Sequence, residues 1–263
     1  MKIRVGNTHL NIEDRGSGPP LLLIHGFPLN LEMWRPQIEV LSSSNRVIAV
    51  DLRGHGQSPA TPGPYPMDLL ADDCAGVLKS LEVQQPAVVC GLSMGGYISF
   101  SFFRRHPKLV SGLILAATRA GADSDQGRAN RDKAVAQTEQ LGTRPVIDSM
   151  LPILLAPNTY NENPELVQVV DDIVSQTSTS GMVSALQGMK DRRDSTQLLG
   201  QIEAPALIIH GLDDQIIPMR DSEAMRAGIP NSQLEIIPDA GHLLNLEQPE
   251  IFNRIVTDFI NQL

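Results

Sequence analysis

The chain has 263 residues, of which 41% are hydrophobic and 19% charged, as is typical of a folded globular protein with one large domain or two small ones. Its 21 basic and 30 acidic residues give a net charge of −9, which disfavours binding to nucleic acid or to an anionic membrane. Two cysteines, Cys74 and Cys90, are too few for a disulfide framework. Because we find neither the apolar stretch of a signal peptide nor a membrane span, we expect a soluble cytoplasmic protein.

Short apolar runs along the chain predict a mainly parallel sheet. A hairpin over residues 3–14, with its turn at Gly6-Asn7, opens the chain. Six short runs rich in Val, Ile and Leu follow, as is typical of strands that are buried on both faces of a parallel sheet. The runs are Pro20–His25, Arg46–Asp51, Ala87–Cys90, Leu109–Ala117, Ala206–His210 and Gln233–Ile237.

Segments with helical periodicity lie between and after these runs. Strands that alternate with helices indicate an α/β fold, in which helices cover both faces of a mostly parallel central sheet. The predicted helices are Leu31–Leu41, Met67–Leu81, Ile98–Arg105, Pro218–Ala227 and Glu247–Asn261.

Residues 119–195 interrupt the alternation. They contain no convincing strand but several helical stretches, and the segment is far longer than an ordinary loop. We therefore expect an inserted helical subdomain or lid. The chain would then consist of a first core part at 1–118, the lid at 119–195 and a second core part at 196–263.

The strongest chemical signal is the sequence Gly-Leu-Ser-Met-Gly-Gly at residues 91–96. It follows the predicted strand Ala87–Cys90 and precedes a helical pattern that begins near Tyr97. A serine between a strand and a helix is held at the tip of a tight turn, where small neighbours let the backbone approach closely. Ser93 is therefore the candidate nucleophile. The alternative is a glycine-rich turn that only packs a helix against a strand.

A serine nucleophile needs a base, and the chain has six histidines. His242 follows the last predicted strand and precedes the last predicted helix. A loop at the carboxyl end of a parallel strand lies at the same sheet edge as Ser93, so His242 is the candidate base. The remaining histidines are expected at the surface or in hydrogen bonds that brace loops, and they are His9, His106, His25, His55 and His210.

A histidine base in turn needs a carboxylate that fixes its tautomer. Residues 211–218 follow the fifth apolar run and carry two neighbouring carboxylates, Asp213 and Asp214. Either would lie at the carboxyl end of a strand, and the residues alone leave this choice open.

In five ordered motifs the chain resembles the α/β-hydrolase superfamily over nearly its whole length. The sequence His-Gly-Phe-Pro at 25–28 resembles the oxyanion loop of that superfamily, and residues 51–58 resemble the glycine-rich turn after its fourth strand. Residues 91–95 resemble its nucleophile elbow, 210–218 its acid loop and 241–242 its histidine loop. The resemblance implies the α/β-hydrolase fold with an inserted helical lid.

The resemblance also implies roles for individual residues. The acid of this superfamily usually lies four residues before a proline, which here is Pro218 and selects Asp214 over Asp213. The backbone N–H groups of Met94 and Phe27 would form the oxyanion hole, which stabilises the negative oxygen of a tetrahedral intermediate. No P-loop, dinucleotide fingerprint or metal-ligand cluster is present in the sequence, so we expect neither a cofactor nor a metal.

The substrate class is narrowed by a further resemblance. Residues 63–81 and 90–96 are similar to those of 3-oxoadipate enol-lactonases, whereas Arg119–Arg131 differs from the lid of that family. We therefore rank first a carboxylesterase that cleaves small to medium uncharged esters through an acyl-enzyme on Ser93.

Two alternatives remain for the function. The first is an enol-lactonase or related lactone hydrolase, in which an arginine such as Arg119, Arg128 or Arg131 binds a substrate carboxylate. The second is a ligand receptor that keeps the fold and the three side chains but turns over negligibly. The sequence leaves the oligomeric state open.

Overall fold

The computed structural model describes all 263 residues and contains eight strands. They form one sheet in the order β1-β2-β4-β3-β5-β6-β7-β8. Strand β2 pairs antiparallel with both β1 and β4, and all other neighbouring strands pair in parallel. The strands are β1 (Lys2–Val5), β2 (Thr8–Arg15), β3 (Pro20–Ile24), β4 (Arg46–Val50), β5 (Ala87–Leu92), β6 (Val110–Ala116), β7 (Ala206–Gly211) and β8 (Ser232–Ile237).

The strand register brings several strand ends to one edge of the sheet. Ile24 of β3 pairs with Gly91 of β5, which pairs with Leu115 of β6, and Leu115 pairs with Ile208 of β7. The loops that follow these four strands therefore emerge side by side, at the carboxyl edge where open α/β sheets place their sites.

Eleven α-helices accompany the sheet, and the predicted α/β-hydrolase fold with a mostly parallel sheet is confirmed. Helix α2 packs on α3, and α1 packs on α11. No helix is both long and apolar enough to span a membrane. The helices are α1 (Arg35–Leu41), α2 (Met67–Ser80), α3 (Met94–Arg105), α4 (Asp125–Leu141), α5 (Arg144–Leu154), α6 (Thr159–Glu162), α7 (Pro164–Val174), α8 (Thr179–Lys190), α9 (Met219–Gly228), α10 (Leu244–Glu247) and α11 (Pro249–Ile260).

Several predicted boundaries differ from the structure. Helix α3 begins at Met94 rather than at Ile98, because the small residues Gly95 and Gly96 fit where the helix start touches the sheet. The last predicted helix, Glu247–Asn261, corresponds to α11, which begins at Pro249, because Glu247 is the last residue of a separate short helix, α10, and proline disfavours a helix that continues through it. The prediction that β8 is buried on both faces was wrong, because β8 is an edge strand with several exposed side chains.

The insertion at residues 119–195 contains α4 to α8 and no strand. Its ends lie together, because the Ser195 amide donates a hydrogen bond of 2.9 Å to the Ala120 carbonyl. Its buried side chains, such as Met182 and Leu186 of α8, belong to the same apolar cluster as the side chains of the sheet. The insertion is therefore packed on the core rather than folded around a core of its own.

Candidate active site

Ser93 is the single residue between β5 and α3. Its φ of 56° and ψ of −112° place it in a region that is unfavourable for any residue other than glycine. The Ser93 amide donates to the Ala116 carbonyl at 2.9 Å, and the Ser93 carbonyl accepts from the Thr118 hydroxyl at 2.8 Å. Both backbone groups are thus fixed by the end of β6, while the Ser93 hydroxyl has no hydrogen-bond partner within the chain.

Glycines on both sides of Ser93 make this turn possible. A Cβ atom at Gly95 would collide with the Ile24 carbonyl oxygen of β3, and one at Gly96 would collide with the Thr118 side chain. A Cβ atom at Gly91 would collide with the Gly95 carbonyl. The start of α3 therefore approaches two strands more closely than any larger residue would allow.

His242 and Asp214 form a buried pair. His242 Nδ1 lies 2.9 Å from Asp214 Oδ2, and the two side chains are only 2% and 0% exposed. The second carboxylate oxygen, Oδ1, accepts hydrogen bonds from the amides of Ile216 at 2.7 Å and Ile217 at 3.0 Å. The carboxylate is thus held at both oxygens, and it leaves Nε2 of His242 as the ring nitrogen available for proton transfer.

The protonation state of Asp214 follows from these contacts. Burial raises the pKa of this carboxyl. The charge of the His242 ring, its hydrogen bond and the hydrogen bonds from the Ile217 and Ile216 amides lower the pKa by more than burial raises it. The pKa of Asp214 is therefore below its ordinary value. Asp213, the other carboxylate of the same loop, is exposed, and its amide donates to the Ala240 carbonyl at 2.9 Å. The structure therefore brings Asp214, and not Asp213, to His242.

The two N–H groups expected to bind an oxyanion have no partner. Phe27 and Met94 are buried, yet neither backbone amide donates to any group of the chain. Buried N–H groups without an acceptor are rare, and both of these donors are free to bind an acceptor that a ligand brings. Gly26 lies directly against the nucleophile, because a Cβ atom there would be 3.4 Å from Ser93 Cβ. The loop that carries Phe27 thus faces Ser93.

Two neutral histidines brace this loop, as the sequence predicts. His25 Nδ1 lies 2.8 Å from the Gly26 carbonyl oxygen, and His25 Nε2 accepts from the Leu52 amide at 3.0 Å. His55 Nδ1 lies 2.9 Å from the Arg53 carbonyl oxygen, and the two imidazole rings are 5.0 Å apart. Burial lowers the pKa of His25 to about 4, and burial together with the neighbouring His25 lowers the pKa of His55 to about 3.

Asp51 has a supporting role that the sequence reasoning missed. Its carboxylate accepts from the amides of Leu31 and Gln57, each at 2.8 Å, and from the Asn11 side chain at 2.9 Å. It therefore ties the segment after the oxyanion loop to the glycine-rich turn. A buried aspartate at a strand end before a Gly-x-Gly turn, here Gly54 to Gly56, is the signal that could have found it.

Glu247 is the second residue that was missed. One oxygen of its carboxylate accepts from the Ala156 amide at 2.7 Å and the Thr159 hydroxyl at 2.6 Å, and the other accepts from the Gly241 amide at 2.7 Å. No basic side chain pairs with it. Burial outweighs these hydrogen bonds and raises the pKa of Glu247 above its ordinary value. Glu247 thus connects the insertion to the loop of His242. An acidic residue in the first turn after His242 was the available signal.

The arginines considered for a substrate carboxylate differ in their contacts. Arg128 pairs with Asp125, and Arg131 pairs with Asp123, so both are engaged within the insertion. Arg119 makes looser contacts and lines a cavity. No cluster of three or more His, Cys, Asp or Glu side chains is arranged to hold a metal ion.

The fold and this arrangement define a hydrolase of the α/β type, and comparison with known proteins supports the same conclusion. The family model of the alpha/beta hydrolase fold matches residues 19–249, so the chain belongs to the α/β-hydrolase family. The chain is 30% identical over 238 residues to 3-oxoadipate enol-lactonase 2 of Acinetobacter baylyi, a match that covers 90% of this chain and 87% of the relative.

Solved structures give the same result. A thermophilic esterase from Thermogutta terrifontis, solved with malate bound, is 37% identical with a TM-score of 0.97, over 100% of this chain and 98% of the esterase. The enol-lactonase from Burkholderia xenovorans LB400 is 27% identical with a TM-score of 0.92, over 99% of this chain and 100% of that enzyme. The predicted resemblance to the enol-lactonase-like branch is confirmed, and the protein is a hydrolase of the ester or lactone class.

Proposed function

We propose that the protein hydrolyses carboxylic esters of small to medium uncharged substrates through an acyl-enzyme on Ser93. In this proposal His242 is the general base, Asp214 orients it, and the amides of Phe27 and Met94 form the oxyanion hole. The observation that carries the proposal is the pair of buried, unpartnered N–H groups beside a serine in a strained turn.

The first half of the reaction forms the acyl-enzyme. Nε2 of His242 removes the proton of the Ser93 hydroxyl as the oxygen attacks the ester carbonyl, and the carbonyl oxygen becomes an oxyanion. The Phe27 and Met94 amides donate to that oxygen. His242, now protonated and stabilised by the Asp214 carboxylate at 2.9 Å, gives its proton to the leaving alcohol.

The second half releases the acid. His242 removes a proton from water, the water oxygen attacks the acyl carbonyl, and the same two amides bind the second oxyanion. Collapse of this intermediate breaks the bond to Ser93 Oγ, which takes the proton back from His242. The strained backbone of Ser93 keeps the hydroxyl at the tip of the turn during both halves.

We also propose that residues 119–195 act as the lid of this site. The proposal is supported by contacts on two sides of it. The Leu243 amide, next to His242, donates to the Leu154 carbonyl at 3.0 Å. On the opposite side the Thr177 hydroxyl donates to the Pro28 carbonyl at 2.5 Å. The insertion thus contacts both the histidine loop and the oxyanion loop, with the two core parts at 1–118 and 196–263 beneath it.

Lactone hydrolysis is the second candidate, and the two enol-lactonases among the similar proteins favour it. A lactone is an internal ester, so the same acyl-enzyme chemistry would open its ring, and the alcohol would remain attached to the acyl group. A substrate carboxylate would then need an arginine near the site. Of the three arginines considered, Arg119 has the longest ion pair, with Asp221 at 3.7 Å, but it lines a cavity that does not include Ser93.

Three measurements test the proposed function. Turnover of a p-nitrophenyl ester series from acetate to octanoate should show burst kinetics and a preference for short or medium acyl chains. A fluorophosphonate should add one adduct, located on Ser93 by peptide mass spectrometry and absent in Ser93→Ala. Faster turnover of a lactone panel than of matched open esters would favour the lactonase, and no turnover of either class would favour the receptor.

A further inference from the structure

A cavity of about 270 Å³ lies between the core and the insertion. Its core side is formed by the start of α2 and by one face of α3 from Tyr97 to Arg104. Its other side is formed by the end of α8 and the segment after it, up to Ser195. Ser93, Asp214 and His242 are not among its lining residues.

The charge of the cavity wall contrasts with that of the protein. Four arginines line it, Arg104, Arg119, Arg192 and Arg193, against two aspartates. The whole chain carries a net charge of −9, so a wall with an excess of guanidinium groups is a local feature.

Two of these arginines are structural. Arg192 is almost fully buried, pairs with Asp123 at 2.6 Å, and stacks on Tyr97 with its guanidinium 4.1 Å from the ring centre. Arg104 pairs with Asp68, which is one of the two aspartates of the wall. The charges of these two guanidinium groups are therefore neutralised, although the Nε of Arg192 is buried without an acceptor.

Of the other two arginines, Arg193 has no ion pair and Arg119 has only a long one, with Asp221. Arg193 is exposed and has neither an ion pair nor a side-chain hydrogen bond within the chain. Arg119 is two-thirds buried, its Nη2 donates to the Ile216 carbonyl at 3.3 Å, and its Nη1 is 3.7 Å from Asp221. The Nε of Arg119 is buried without any acceptor. A buried guanidinium N–H without an acceptor is costly unless a ligand supplies one.

We propose that this cavity binds a small organic carboxylate through Arg119 and Arg193. Carboxylate oxygens match the planar guanidinium group, which donates two parallel hydrogen bonds to them. Apolar side chains of Met67, Phe100 and Ala120 also line the cavity and suit a short carbon skeleton. The site lies where the insertion meets the core, so the bound carboxylate contacts both parts and stabilises their packing.

The test uses succinate, a short dicarboxylate that offers a carboxylate to each arginine. Titration of the Ser93→Ala protein by calorimetry should show saturable binding at one site, and succinate should raise the melting temperature. Arg119→Gln and Arg193→Gln should each weaken binding about tenfold or more. Arg254→Gln removes an exposed arginine of α11 outside the cavity and should leave the affinity unchanged.

Further titrations distinguish this cavity from the catalytic site and from a surface that binds any anion. Wild-type protein whose Ser93 carries a phosphonate should still bind succinate, because the cavity does not include Ser93. Neutral succinamide should not compete. The proposal is overturned if binding is not saturable, if Arg193→Gln binds as well as Arg254→Gln, if the phosphonate abolishes binding, or if inorganic phosphate binds more tightly than succinate. None of these results depends on ester hydrolysis, so the proposed function is tested separately.

Discussion

The carboxylate of Glu247 accepts the backbone N–H of Gly241 at 2.7 Å, one residue before His242. Its other oxygen binds the Ala156 amide, which belongs to the insertion. This side chain therefore joins the histidine loop to the insertion, in addition to the hydrogen bond from the Leu243 amide to the Leu154 carbonyl. Gly241 must be a glycine for this arrangement, because a Cβ atom there would collide with the Ala156 backbone.

We predict that Glu247→Gln lowers kcat/KM for a p-nitrophenyl ester by about tenfold and lowers the melting temperature. The amide nitrogen of glutamine would face either the Gly241 or the Ala156 N–H, so one buried donor would lose its acceptor, at a cost of about 1–3 kcal/mol. Glu250→Gln, at an exposed position of α11, is the matched control. Unchanged kinetics for Glu247→Gln would mean that the histidine loop holds its position without this contact.

The strain at Ser93 has a consequence for stability. Ser93→Ala should reduce activity by at least about 10³-fold and leave the fold intact. Ser93→Gly should be equally inactive but more stable than Ser93→Ala by about 1–2 kcal/mol, because glycine adopts a positive φ without steric cost. Urea unfolding of the two variants measures the difference. Equal stabilities would show that the turn at Ser93 is not strained.

The two neighbouring aspartates should differ sharply. Asp214→Asn should be severely impaired, by roughly 10⁴-fold in kcat, because the imidazole loses the partner that fixes its tautomer. Asp213→Asn should stay close to wild type, since the Asp213 side chain is exposed. Steady-state kinetics on both purified variants decides the assignment, and a severe loss of activity in Asp213→Asn alone would make Asp213 the acid.

Acid should destabilise the fold through the histidines beside the oxyanion loop. The pKa values of His25 and His55 are lowered to about 4 and about 3, whereas an unfolded histidine titrates near pH ~6.5. Between these values the unfolded chain binds more protons than the folded one, so stability is full above pH ~6.5 and falls as the pH drops towards 4. Each histidine lowers the free energy of unfolding by up to about 1.4 kcal/mol for each pH unit of acidification in this range.

Urea unfolding at pH 7.0, 5.5 and 4.5 measures this loss. In His55→Asn the free energy of unfolding should depend less steeply on pH, because one of the two buried histidines no longer contributes. The variant His9→Asn, at an exposed position, should keep the wild-type slope. A slope that is identical in all three proteins would mean that His55 accepts a proton in the folded state as readily as in the unfolded one.

Those features of the site that depend on short stretches of chain could be predicted from the sequence. The strand-turn-helix order around Ser93, and the positions of His242 and Asp214 after buried strands, follow from apolar runs and glycines in short stretches of the chain. The choice between Asp213 and Asp214 required the family resemblance, because both follow the same strand. The early start of α3 was missed because Gly95 and Gly96 are poor helix formers, and only their contacts with β3 and Thr118 explain them.

The contacts of Glu247 and Arg119 could not be predicted in the same way. Glu247 binds Ala156 and Gly241, and Arg119 binds Ile216, which is far from it along the chain. Such pairs depend on how the insertion folds back over the core. A single sequence carries no periodic signal for contacts of that kind.

The hydrogen bond between the Ser195 amide and the Ala120 carbonyl closes the insertion at its base. Chain that leaves and re-enters the core at one point can change in length and content without moving the strands on either side. The helices between these two residues are therefore the part of the molecule that can be exchanged as a cassette, provided that the replacement keeps the apolar face seen at Met182 and Leu186. Grafting the corresponding helices of other hydrolases onto this sheet offers a route to new substrate ranges while the core and its candidate catalytic residues stay unaltered.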